Sequence, residues 1–181
     1  MKLDVENIAF EKLLIPTAIV TAILFLLNVL TVLSSKKHRT DRYERNWLAR
    51  LLYLLFIGCI SVLAATSFGS ILQHGYMEHY ALMAHTTAAG GFVFLTLLIA
   101  IFFLPRGTAT KENWRLEKWS VWVLIAGAMV TTATMLASML PLLDTNGLLQ
   151  AVQIHRYAGL LTAIAAIFHT FSLIAGRLGY R

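Results

Sequence analysis

Leu13–Ser35, LLIPTAIVTAILFLLNVLTVLSS, carries no charged side chain from end to end. A helix rises ~1.5 Å per residue, so ~20 consecutive apolar residues match the hydrocarbon core of a bilayer. This block is long enough to cross, too long for the apolar region of a signal peptide, and followed by no small-residue cleavage site. It reads as a retained membrane-spanning helix.

Four further blocks of this kind follow, at about Trp47–Ser70, Tyr80–Leu104, Trp119–Leu140 and Leu148–Ala175. Pro105 and Pro141 stop the third and fourth, and Arg177 lies just beyond the fifth. Hydrophobic residues make up 58% of the 181 positions and charged residues 13%; the mean hydropathy is +0.70. Soluble domains carry roughly twice that charged fraction, about 25%. The expected fold is therefore an all-α integral membrane protein, with no connection long enough to form a soluble domain.

Charge sets the expected topology. The basic residues group after the first block (Lys36, Lys37, Arg39, Arg42, Arg45, Arg50), after the third (Arg106, Lys111, Arg115, Lys118) and at the C-terminus (Arg177, Arg181). Only Lys2, Lys12 and Arg156 fall on the other side of a five-span arrangement. Basic loops stay cytoplasmic, which places the N-terminus outside and the C-terminus inside. The net charge of +6 is thus a topology signal and not a nucleic-acid footprint. The single cysteine, Cys59, lies mid-span; it excludes an internal disulfide, Cys-x-x-Cys-His haem attachment and Cys-rich clusters.

A weak internal repeat runs through the last four blocks. GCISVLAATSF precedes MEHYALMAHTTAAGG, and GAMVTTATMLASM precedes LLQAVQIHRYAGL. Each half is a helix, a short loop and a helix opening with His-x-x-Ala. Two such hairpins suggest a four-helix domain over residues 41–181, with residues 1–40 forming an added helix and basic loop.

All nine acidic residues fall in loops or at block ends, so the deep ionisable groups are histidines. That disfavours an ion-coupled transporter, whose pathway usually needs intramembrane charge. His85 and His155 lie at similar depth in two helices that both run inward from the outer side. A neutral imidazole from each of two facing helices is what a six-coordinate haem b needs. One turn on, Ala89 follows His85 and Gly159 follows His155 on the same helix face. Small residues there would let a flat macrocycle approach the backbone. The plainer reading is that each histidine hydrogen-bonds a neighbouring helix. His169 follows His155 by fourteen residues, placing the two roughly 40° apart around the axis and about 21 Å apart along it. A second haem near the inner face would then have a ligand on the same helix.

The run Ile154-His155-Arg156-Tyr157-Ala158-Gly159, followed by His169, resembles the last core helix of a bacterial membrane cytochrome b family that includes formate dehydrogenase gamma subunits and the b-type cytochromes of nickel–iron hydrogenases. The resemblance covers about Arg42–Arg177. It implies a haem-binding four-helix bundle in the bacterial inner membrane, contacting lipid and other redox subunits. It also implies exchange of electrons with menaquinone or ubiquinone. His85 matches the family histidine that shares the outer haem with the one matched by His155; His169 matches an inner-haem ligand. The family's second inner ligand precedes a Trp, and here that position is Asn46, in Arg45-Asn46-Trp47. Asn46 is a poor haem ligand. The inner haem is then missing, five-coordinate through His169, or completed by His38, which otherwise reads as a solvated loop residue. One or two haems remain open. Arg156 suits a haem propionate or an interfacial anchor. Asn46, Trp47 and Tyr53, with His169, are the inner quinone candidates. His74, His79 and Glu78 form an outer loop that can meet a periplasmic partner, take up quinol protons, or simply be solvated. Thr131, Thr132 and Thr134 offer hydroxyls that serve packing equally well.

The expected function is a membrane-anchoring haem b subunit moving electrons between quinone and a partner redox subunit. The alternatives are a stand-alone quinol:cytochrome carrier and a haem-free membrane scaffold or small transporter.

Overall fold

The computed structural model describes residues 3–35, 47–103 and 115–180, and within them the side chains of 10–35, 47–101 and 120–180. Five helices follow one another: α1 (Leu3–Ser34), α2 (Trp47–His74), α3 (His79–Phe103), α4 (Arg115–Met139) and α5 (Thr145–Arg177). Each is long and apolar enough to cross a membrane. The chain is an all-α, multi-pass membrane protein.

The helices overrun the apolar blocks. α1 starts ten residues before Leu13, continuing through the sequence that holds Asp4, Glu6, Glu11 and Lys12. α5 starts at Thr145, where the Asp144 carboxylate accepts the Gly147 N–H at 2.8 Å and caps the first turn. Apolarity marks only the lipid-embedded part of a helix. Backbone hydrogen bonding carries it on into the polar interface.

α2 packs with α3 and α4 with α5 as two antiparallel hairpins; α2–α5 and α3–α4 contacts close the ring. The centre is apolar: Phe56 and Phe92 stack at 5.4 Å and 9° among Ile60, Leu95, Leu124, Ala128 and Ala165. The outward faces are apolar too, with Leu54, Phe94 and Leu161 at 50–67% exposure. A water-facing surface rarely carries so much contiguous apolar area; lipid is its solvent. α1 lies along the α2–α5 seam. Phe10 and Leu14 bury against Ile71, Phe68 and Leu160 at the end where the two hairpins turn, and Phe25 meets Phe168 and Phe171 further along.

The α4–α5 seam is made by small residues, which let membrane helices approach closely. A Cβ added at Gly127 would sit 2.6 Å from Thr162 Oγ1 and 3.6 Å from Thr162 Cα. The Thr162 hydroxyl is itself tied to the Ala158 carbonyl at 2.7 Å, so it has no free retreat. Gly127→Ala is expected to cost about 1–3 kcal/mol by overpacking, read as a lower melting temperature in detergent. Gly58→Ala, whose Cβ would meet nothing within 4 Å, is the control and should melt like the parent.

Candidate functional site

A cavity of about 340 Å³ lies between α2, α3, α4 and α5, within the ~300–1,000 Å³ common for cofactor and ligand sites. His85 and His155 both line it, together with Ala89, Gly159 and Arg156. Residues far apart in sequence and singled out for one site thus share one chamber. A Cβ at Gly159 would meet no atom within 4 Å, so the missing side chain leaves usable room. The remaining wall is almost wholly apolar, with Leu63, Phe68, Phe92, Val93 and Met135.

Both imidazoles are held through Nδ1. His85 Nδ1 lies 3.0 Å from Thr66 Oγ1. That hydroxyl directs its only proton to the helix carbonyls of Val62 and Leu63, at 2.7 and 3.2 Å. With its proton placed there, the hydroxyl accepts from a His85 ring protonated at Nδ1. His155 Nδ1 lies 3.0 Å from the Thr131 carbonyl oxygen, which can only accept; Thr134 Oγ1 is a more distant neighbour at 3.4 Å. In the neutral ring a protonated Nδ1 leaves Nε2 with the lone pair. Second-partner hydrogen bonds of this kind orient metal-ligating histidines.

A threonine on the first helix of each hairpin stands near the histidine of the second, at 3.0 Å for Thr66 and 3.4 Å for Thr134, but the shorter contact of His155 is to a backbone carbonyl. Thr66 escaped attention as a site residue in the sequence. The repeat marks it only loosely: in AATSF and TTATM, Thr66 falls opposite Ala133 and Thr134 opposite Ser67.

Two imidazoles are too few to hold a bare ion, and no group of three or more His, Cys, Asp or Glu side chains is placed for one among the described residues. Arg156 supplies a positive charge on the wall, its guanidinium carbon 5.9 Å from the Phe10 ring centre of α1. Thr132 also lines the cavity. It is 8% exposed, and its hydroxyl has no hydrogen-bond partner among the described residues.

His169 is elsewhere. It is buried (6% exposed), with Nδ1 3.0 Å from Ser120 Oγ and its ring edge-on to Tyr53 at 5.9 Å. The Tyr53 hydroxyl shares a hydrogen bond with Thr170 at 2.9 Å. Tyr53 and His169 thus meet, whereas Trp47 is 75% exposed at the start of α2. His38 and Asn46 lie outside the described residues. His74 ends α2. His79 opens α3 with its Nδ1 3.4 Å from Glu78, an exposed pair in solvent.

Comparison of the chain with family models, with curated proteins and with solved structures finds no match.

Proposed function

We propose that the chain is a membrane cytochrome b subunit that binds one haem b between His85 and His155 and carries electrons between quinone and a partner redox subunit. The single observation that supports this reading is that both histidines line one apolar cavity while their Nδ1 atoms are engaged elsewhere. The residues suit the group. Nε2 of each ring is the nitrogen with a lone pair to offer iron, and Thr66 and the Thr131 carbonyl hold the tautomers. Gly159 and Ala89 leave room for a flat ring, and Arg156 provides a cation for a propionate. The apolar wall keeps water from the iron. When bound, haem b supplies reversible one-electron chemistry, and the chain's part is to ligate, orient and insulate it.

The likeness of Ile154–Gly159 and His169 to the formate dehydrogenase gamma and hydrogenase cytochrome family supports a place in the bacterial inner membrane, and the basic loops support an N-terminus outside. It also supports menaquinone or ubiquinone as the lipid-soluble carrier. Two points support a count of one haem over two. His169 is not among the residues lining the cavity, and the partner position matched for a second haem is Asn46.

A dithionite-reduced minus oxidised spectrum with a pyridine haemochrome assay tests the proposal. One haem b per purified chain is expected. Two would make His169 a ligand to a second group. None would return the chain to the scaffold or transporter reading.

A further inference from the structure

The cavity has a closed side and an open side. Its lining on α2 and α5 contains no exposed residue, and α1 packs along that seam through Phe10 and Leu14. On α3 the liners Thr86, Gly90 and Val93 follow at i, i+4, i+7, and on α4 Thr132, Leu136 and Met139 do the same. Residues at that spacing share one helix face. Thr86 and Gly90 are exposed, as are Leu136 (48%) and Met139 (65%). A Cβ at Gly90 would meet nothing within 4 Å. The cavity therefore opens sideways between α3 and α4, towards lipid.

At this opening stands the unpartnered Thr132 hydroxyl. Helix-embedded threonines usually donate back to a carbonyl three or four residues earlier, and Thr131, Thr134 and Thr162 all do so. Thr132 does not. A buried donor without a partner costs free energy, so it points to a missing acceptor. Haem carries its oxygens only on the propionates, and Arg156, on α5, is the cation that suits those. A phospholipid's ester oxygens stay at the interface, whereas Thr132 lies seven residues before the end of α4, about 10 Å along the helix. An acceptor that reaches that depth from the lipid phase is a neutral, lipid-soluble molecule.

We infer that the α3–α4 opening is a binding site for a quinone head group, with the Thr132 hydroxyl donating to a quinone carbonyl. This rests on the electron-carrier reading for its purpose, but the site can be tested apart from it. It puts the quinone at the lipid-side mouth of the His85–His155 cavity itself and away from the Tyr53–His169 cluster.

The probe is a short-chain azidoquinone, photolysed with the full-length protein in lipid nanodiscs and mapped by peptide mass spectrometry, alongside the affinity of its unreactive parent. Label is expected on α3 and α4 around Gly90 and Leu136. Thr132→Val, which keeps shape and removes the donor, should weaken binding about tenfold, and Thr132→Ser should restore it. Gly90→Leu should block labelling by filling the mouth. Label concentrated at Tyr53, or unchanged affinity in both Thr132→Val and Gly90→Leu, overturns the site. Haem content measured on the same samples separates the two ideas. Haem without Thr132-dependent binding removes the quinone site alone, and Thr132-dependent binding without haem removes the electron-carrier reading alone.

Discussion

Replacing His155 by Ala is expected to leave the purified protein without its b-type α band, and His85→Ala is expected to do the same. A six-coordinate haem draws on both imidazoles, so losing either removes half of the protein's hold on the iron. The fold should survive the change. His155 is half-buried at the cavity wall, and its Nδ1 partner is the Thr131 carbonyl of a continuous helix, which keeps its own backbone bonding. The informative contrast is His169→Ala. His169 is buried against Tyr53 and Ser120, so that change should lower the melting temperature while the α band stays. Haem content is read by pyridine haemochrome and folding by detergent-phase size exclusion. A colourless His169 variant beside a red His155 variant would reverse the ligand assignment.

The second large effect is expected from Gly159→Leu. Gly159 borders the cavity and a Cβ there contacts nothing, so the protein itself can accept a larger residue. A leucine side chain would project into the chamber and take the space the macrocycle needs. Haem loading should fall several-fold or more while the melting temperature of the haem-free protein holds. Gly159→Ala should load nearly normally. This separates Gly159 from Gly127, where the same one-carbon addition runs into Thr162: one glycine makes room for a ligand, the other for a helix. If Gly159→Leu loads haem like the parent, the macrocycle does not approach α5 at this point.

The five spans were legible because membrane helices declare themselves by composition. No arrangement in water would tolerate Leu13–Ser35 and its four counterparts. The helix ends were less legible, since the turns that carry α1 back to Leu3 and α5 to Thr145 are polar. His85, His155, Ala89, Gly159 and Arg156 could be grouped from depth and spacing along two helices, and they do share a cavity. Tyr53 and His169 could be grouped too, and they do touch. Whether His169 has a partner across the bundle turns on His38 and Asn46, which lie outside the described residues.

By itself the sequence determined that this chain crosses a membrane five times as helices and that its deep polar chemistry is histidine. Both follow from one-dimensional quantities, the length of an apolar run and the position of a residue within it. Only the tertiary structure decided which nitrogen of each ring is tethered, that α1 covers the α2–α5 seam, and that the cavity opens between α3 and α4 beside a Thr132 hydroxyl with no partner among the described residues. Those depend on rotation of each helix about its axis and on which neighbours it meets. Apolar sequence leaves that rotation undetermined, because lipid accepts every face of such a helix alike.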